Sequence, residues 1–249
     1  MRSYKIRLAC MLVVLLMTPV IMSAQKRMFF VVGYGLEGYK NTDAVKLAVD
    51  SYNQYNLSLK YIPEEELESP GNFGGMLLGI KTNFNRGGMA FGLHWAQFKS
   101  TANGTDSALS GEYFKKIKIG NVGISAGGTY HLINTEGFRS GPALALNIEK
   151  FRMYCRSAID YGTSAYEKPV DKFMMGLTLR WPLSFGSGKF NFDVIPYYTF
   201  PFWKVDAAPF NEELNQGHHH TFDAGQMSLK SVRWGVAVTL NFCFMEEED

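Results

Sequence analysis

The chain has 249 residues, of which 14% are aromatic and 19% are charged, and its 25 basic residues nearly balance its 23 acidic ones. This balance argues against a nucleic-acid partner, because such a partner requires a basic excess. After the N-terminus, no stretch approaches the roughly 18 consecutive apolar residues of a membrane-spanning helix, and three cysteines are too few for a disulfide scaffold.

The N-terminus has the layout of a secretory signal peptide. Three basic residues precede an apolar run over residues 8–17, and small residues follow it up to Ala24. The sequence therefore predicts a signal peptide at residues 1–24 and one mature domain at residues 25–249. Removing the signal peptide deletes three of the 25 basic residues and none of the 23 acidic ones, which changes the net charge from +2 to −1.

In the mature chain, apolar side chains recur at alternate positions over segments of about ten residues or more, the length of a membrane-spanning strand. In the last segment, for example, Val236 and Val238 alternate with Ala237 and Thr239. Eight such segments are predicted, at residues 28–38, 71–84, 89–96, 113–132, 143–149, 171–185, 190–202 and 231–244.

The two faces of these segments distinguish two fold classes. One face carries large apolar and aromatic residues, whereas the other is rich in Gly, Ala, Ser and Thr and poor in Lys and Glu. In a soluble sandwich, the second face would be solvated by charged residues; in a membrane barrel, it lines a narrow lumen. The composition favours an all-β fold, an eight-stranded antiparallel up-and-down transmembrane β-barrel, with the soluble sandwich as the alternative.

Connection lengths predict the topology. Short turns alternate with long connections, the short ones at residues 85–87, 133–140 and 186–188, and the long ones at 39–70, 101–112, 156–170 and 204–228. Both termini of such a barrel normally lie in the periplasm, so the long loops are predicted outside. A break at Gly120 would give an odd number of strands, and residues 113–132 are therefore interpreted as one continuous strand.

Three local features depart from this regular pattern. Pro182 and Pro196 each remove a backbone donor from a ladder without free edges, so bulges or local breaks are expected at both. In the first strand the alternation is weakest, because Phe29 on the predicted lumen side is as apolar as Phe30 on the other.

The chain resembles the small outer-membrane barrels of the OmpA/OmpX type, and more specifically the PorT-like "outer membrane protein beta-barrel domain" group. The resemblance covers nearly the whole mature chain and includes Ala24-Gln25, Ile195-Pro196-Tyr197-Tyr198 and Asn241-Phe242-Cys243-Phe244. It implies a bacterial outer-membrane location, contact with outer-membrane lipid, and recognition of the last strand by the barrel-assembly machinery through Phe244. The acidic tail at residues 245–249 departs from this pattern, because it places the aromatic short of the C-terminus.

A set of charged residues is predicted to face the lumen and to form a structural cluster: Lys81, Glu149, Arg180, Asp193 and Arg233. Opposite charges in a narrow barrel are expected to pair, since an unpaired buried charge costs several kcal/mol. Asp193 is predicted to lie between Arg180 and Arg233, which occupy the neighbouring strands. A structural plug is the favoured interpretation, with a proton or small-solute pathway and a catalytic acid–base pair as alternatives.

Two outer loops carry further candidates. The first contains a helical pattern over residues 42–55, interpreted as a lid on the barrel mouth or as a binding surface with contacts at Tyr52, Tyr55 and Tyr61. The last contains His218, His219 and His220, which are weak candidates for a metal site because consecutive side chains on an extended loop diverge. No metal or other cofactor is expected.

The leading functional hypothesis is a non-enzymatic surface barrel that stabilises the envelope or presents loops to a surface or periplasmic protein partner, including a secretion assembly as the PorT-like resemblance allows. A small transporter or channel is the second hypothesis. A barrel-embedded lipid-modifying enzyme is the third, although the sequence contains no catalytic motif.

Overall fold

The computed structural model describes residues 27–40, 42–58, 63–84, 86–106, 111–159, 167–215, 222–223, 225–229 and 232–246. The predicted signal peptide and its cleavage site lie outside these ranges. Among the described residues, no helix is both long enough and apolar enough to cross a membrane.

Eight long strands form the framework of the molecule. In chain order they are β1 (Arg27–Lys40), β2 (Asn72–Phe84), β3 (Gly87–Asp106), β4 (Gly111–Tyr130), β5 (Ala143–Ile159), β6 (Glu167–Arg180), β7 (Phe190–Pro201) and β8 (Val232–Glu246). Two helices lie in the connections, α1 (Asp43–Ser58) and α2 (Ala208–Leu214). Short strands occur at Pro63–Glu65, Ile133–Thr135, Phe138–Ser140, Leu183–Phe185, Val205–Asp206 and Ser228–Leu229.

The eight strands close into a ring. Each pairs antiparallel with its neighbours in the chain, and β8 pairs with β7 on one edge and with β1 on the other. Closure leaves no free edge in the ring, as a lipid environment requires of a sheet. The predicted eight-stranded antiparallel up-and-down barrel is confirmed, including one continuous strand through Gly120, which pairs with both of its neighbours.

The two faces of the ring are those expected from the alternation. Val236 is 45% exposed on the outside, whereas Thr239 and Thr178 are each 2% exposed on the inside. In β1, Phe29 is buried and Phe30 is exposed, so the faces expected for this weakly patterned strand are also correct. Large apolar side chains point outward on all eight strands and form a lipid-facing belt.

The turn at the inner end of β4 and β5 is shorter than expected. The sequence predicted a turn over residues 133–140, but Ile133–Thr135 and Phe138–Ser140 pair with each other and continue the hairpin. The chain reverses at Glu136 and Gly137, where Gly137 has φ 124°, a conformation that glycine adopts without steric cost.

The two prolines have different effects. At Pro182 the sixth strand is interrupted, and it resumes at Leu183–Phe185. The register against β7 is kept across this gap, where the Trp181 amide donates to the Pro196 carbonyl at 3.0 Å. The break expected at Pro182 is confirmed. The break expected at Pro196 is wrong, because β7 stays paired with β8 on both sides of that residue.

An apolar cap fills the outer end of the barrel. Helices α1 and α2 pack on each other, and Asn215 next to α2 donates from Nδ2 to the Ala48 carbonyl of α1 at 3.1 Å. Beneath the helices, inward side chains of the strands complete one buried cluster, including Phe73, Ile117, Phe151, Met153 and Met174. The inside of the barrel is therefore apolar at its outer end and polar further in.

Candidate functional site

The five predicted cluster residues occupy inward positions at two levels of the polar lumen. Glu149 on β5 and Arg233 on β8 meet at the level nearer the cap. Lys81 on β2 and Asp193 on β7 meet at the level farther from the cap. Arg180 at the end of β6 joins neither pair. The predicted residues therefore form two separate ion pairs and one further arginine, rather than a single cluster.

The outer pair spans the lumen between strands that are not neighbours. Arg233 Nη2 lies 2.7 Å from Glu149 Oε2, and both side chains are buried. His94 on β3 contacts the same carboxylate, with Nε2 at 3.0 Å from Oε2. Three strands are thus joined across the interior by charge-assisted contacts, which are stronger than neutral hydrogen bonds.

A second carboxylate, Glu37 on β1, completes this level. Its Oε1 lies 3.7 Å from Arg233 Nη1 and accepts hydrogen bonds from Asn121 Nδ2 at 3.1 Å and from the Tyr39 hydroxyl at 3.3 Å. Its Oε2 accepts from the Tyr197 hydroxyl at 3.1 Å. Glu37 therefore binds donors from four strands, and this network crosses the lumen.

The inner pair is more compact. Lys81 Nζ lies 2.7 Å from Asp193 Oδ2 and also donates to Ser184 Oγ at 3.3 Å. The Asp193 side chain is 3% exposed and that of Lys81 is 14% exposed. Charges this well buried require a partner, since removing one leaves the other desolvated and uncompensated.

The predicted contacts of Asp193 with Arg180 and Arg233 are wrong. Asp193 lies opposite Ser184 and Thr239, whereas Arg180 and Arg233 lie opposite Tyr197 and Thr199. Tyr197 is four residues beyond Asp193, a distance of about 13 Å along a strand. The sequence correctly identified the neighbouring strands. The pairing register, however, places Arg180 and Arg233 at a different position along the barrel axis from Asp193.

Arg180 lies between two lumen cavities and lines both. Including space open to solvent, they have volumes of about 600 Å³ and about 550 Å³. No ion pair of Arg180 is found among the residues that the structure describes. Ile195 also lines both cavities, so these two residues lie where the cavities adjoin.

Three polar residues of the outer network were not identified as partners from the sequence: Tyr39, Asn121 and Tyr197. Strand parity places Asn121 and Tyr197 inside, whereas Tyr39 lies one residue beyond the predicted first strand, in the connection predicted at residues 39–70. Strand parity predicts which face of the sheet a residue lies on but not its position along the barrel axis. The contacts with Glu37 depend on that position.

The first outer loop contains the expected helix, which begins at Asp43 and ends at Ser58. Tyr52 is 8% exposed and belongs to the buried cap cluster, so the proposed contact surface at this residue is wrong. Tyr52 is buried because the apolar face of α1 packs into the mouth of the barrel. The interpretation of this helix as a lid is therefore correct. Tyr55 is partly buried, and Tyr61 lies outside the described residues.

The histidines at 218, 219 and 220 also lie outside the described residues. Within the described ranges, no group of three or more His, Cys, Asp or Glu side chains is arranged to hold a metal ion. The polar lumen is therefore the candidate site that the structure describes in detail.

No family model matches the chain, and no curated protein sequence matches it. Three solved structures are similar to it. Ail of Yersinia pestis, in complex with the heparin analogue sucrose octasulfate, is 12% identical over 88% of this chain and 99% of that chain, with a TM-score of 0.40. Neisserial surface protein A is 14% identical over 87% of this chain and 97% of that chain, with a TM-score of 0.40. The N-terminal β-barrel domain of Pseudomonas aeruginosa OprF is 9% identical over 88% of this chain and 99% of that chain, with a TM-score of 0.33. These neighbours are small outer-membrane barrels of the OmpA/OmpX type, which the sequence resembles. The narrower PorT-like resemblance stays a prediction.

Proposed function

We propose that this protein is a closed, non-enzymatic barrel of the bacterial outer membrane that has a structural role in the envelope. It is exported through the signal peptide at residues 1–24 and inserted with its long loops outside. The main observation that supports this proposal is that two groups of residues, one apolar and one charged, occupy the lumen. An apolar cap fills its outer end, and ion pairs cross its polar part.

The cap supports closure because apolar packing excludes both water and ions. Ala48, Val49 and Phe210 on the two helices are fully buried above the inward side chains of the strands. Below the cap, the Glu149–Arg233 pair and the hydrogen bonds of Glu37 take up much of the cross-section. Eight strands leave an interior just wide enough for side chains, so these groups suffice to block it.

In this proposal, residues on the outer surface of the barrel direct its insertion into the membrane and contact its protein partners. Phe242 and Phe244 point outward at the inner end of β8, where a terminal aromatic can be recognised by the barrel-assembly machinery. The outer loops, rather than Tyr52, would contact a surface protein partner. A secretion assembly is one such partner that the PorT-like resemblance allows.

Conductance in planar lipid bilayers tests this function. The refolded protein is expected to give no steady current. A variant in which Glu37, Lys81, Glu149, Asp193 and Arg233 are all replaced with Ala, carried in a chain that lacks residues 43–58, is expected to conduct, because both levels of ion pairs and the larger helix of the cap are removed. A chain that lacks only residues 43–58 provides the control for loss of the cap. Folding of each protein is checked by its heat-dependent mobility on gels.

Steady, unit-sized conductance by the unmodified protein would contradict closure and favour the small transporter. The two cavities that meet at Arg180 would then form part of the path. Altered lipid structure on expression of the unmodified protein, compared with a deletion strain, would instead favour the lipid-modifying enzyme.

A further inference from the structure

A basic surface lies on the outside of the barrel, just beyond the lipid-facing belt on β3, β4 and β5. Trp95, Val122 and Lys150 are aligned across these strands, and this row marks the transition from apolar to charged residues. Towards the outer end, the outward positions carry cations on all three strands. We call this surface the basic band, and it consists of Lys99, Lys116, Lys118, Lys150, Arg152 and Arg156.

The band places like charges directly opposite each other. Lys99 on β3 pairs in register with Lys118 on β4, and Lys116 on β4 pairs with Arg156 on β5. Directly opposed like charges on one face of a sheet are destabilising. Two such pairs at successive outward positions indicate that this face is suited to an anion that lies across the strands.

Aromatic rings support the cations from the side. The Lys118 ammonium lies 5.8 Å from the Tyr154 ring centre, and the Arg156 guanidinium lies 5.6 Å from that of Phe114. Cations near ring faces at such distances are attracted to them. These contacts hold the side chains against the sheet, where neighbouring strands can present several donors to one ligand.

One described carboxylate, Asp171, neutralises part of the band. Asp171 on β6 lies 3.1 Å from Lys150 Nζ and 3.7 Å from Arg152 Nε, and it also contacts Lys168. Glu65 accepts a hydrogen bond from Asn103 at 3.0 Å, and Glu167 lies opposite Cys155. Asp171 is thus shared among three cations, while the two opposed pairs lie further along β4.

We propose that the basic band binds the phosphate groups of an anionic glycolipid in the outer leaflet. The inference rests on the proposed insertion in the outer membrane, which places the edge of the apolar belt at the level of lipid headgroups. A phosphate there can accept hydrogen bonds from Lys99 and Lys118 together, while the acyl chains of the same molecule pack on Trp95 and Val122. Continuity of the band with the belt favours a lipid over a soluble ligand.

The far side of the barrel offers a matched control. On β1 and β8 the outward positions carry Leu36 and Trp234, and Lys40 lies at the outer end of β1. Lys46 on α1 and Lys189 in an inner turn are also exposed and lie outside the band. Replacing these three lysines with glutamine removes the same charge as replacing Lys99, Lys116 and Lys118.

The experiment measures binding of a bisphosphorylated lipid A to the full-length mature protein in phosphatidylcholine nanodiscs, by native mass spectrometry. Because each lysine near an anionic lipid surface contributes about fivefold, the band variant Lys99→Gln/Lys116→Gln/Lys118→Gln is expected to bind on the order of a hundredfold more weakly. The control variant Lys40→Gln/Lys46→Gln/Lys189→Gln is expected to bind as the unmodified protein does. Dephosphorylated lipid A is expected not to distinguish the two variants.

Equal binding of lipid A by the band and control variants would overturn the proposal. So would band-dependent binding of inorganic phosphate or of a soluble sulfated polysaccharide with the affinity of lipid A, since the ligand would then be a free anion. Insertion is measured separately by gel mobility in neutral lipid. Failure to insert would overturn the proposed function together with this inference, whereas an inserted barrel without lipid preference would overturn the inference alone.

Discussion

Arg233 on β8 and Glu149 on β5 meet across the lumen at 2.7 Å, although two strands separate β8 from β5 along the shorter arc of the ring. This contact holds opposite walls of the barrel together and neutralises two charges in its interior. The same arginine also lies near Glu37, so one cation serves two buried carboxylates. Stability and closure therefore depend on the same residues.

Replacing Glu149 with Gln is expected to destabilise the barrel by about 3 to 5 kcal/mol, because Arg233 loses its nearest buried counter-charge. The double variant Glu149→Gln/Arg233→Met should recover part of this loss. Urea unfolding in lipid vesicles measures both, and Glu136→Gln in an exposed turn is the control. A loss no larger than that of the control would show that the pair does not stabilise the fold.

A double-mutant cycle tests the inner level of the lumen. Lys81→Met and Asp193→Asn should be coupled by about 0.5 to 3 kcal/mol, since these side chains are in direct contact. Arg180→Gln and Asp193→Asn should be close to additive in free energy of unfolding. Coupling of Asp193 to Arg180 as strong as its coupling to Lys81 would contradict the observed register.

The lipid-facing assignment predicts a depth-dependent penalty on β8. Val236→Arg should cost about 2 to 4 kcal/mol of folding free energy if the residue lies near the bilayer midplane, because the guanidinium replaces an apolar side chain in hydrocarbon. Val236→Leu keeps the surface apolar and should be nearly neutral. Cysteines placed at 236 and 177 should react with a lipid-soluble probe, and those at 239 and 178 should not; equal labelling at the four sites would refute the facing.

Cys155 and Cys243 should differ sharply in reactivity. Cys155 is buried beneath the cap, and a thiol in such apolar surroundings is kept in its unreactive, protonated form. Cys243 is partly exposed at the inner end of β8. Iodoacetamide at pH 8 should modify Cys243 first and reach Cys155 after unfolding. A native Cys155–Cys243 disulfide would contradict the topology.

The cap should detach when charge is placed inside it. Ala48→Glu puts a carboxylate at a fully buried position between the helices, whereas Lys46→Glu changes the exposed side of α1. The first variant is expected to make residues 41–62 sensitive to protease while the ring of strands stays folded. Limited proteolysis followed by mass spectrometry compares the two, and equal cleavage would show that α1 does not depend on this packing.

The sequence by itself determined the ring, the inward and outward faces and the position of α1, because alternation has a period of two and connection length limits which strands can be neighbours. It identified Lys81, Glu149, Asp193 and Arg233 as lumen residues for the same reason. Their partners were decided only by the tertiary structure. Register along each strand and the distance across a closed ring determine which charges meet, and the chain carries no local pattern for either. Tyr52 shows the same division: its helix was predictable, but its burial depends on inward side chains contributed by distant strands.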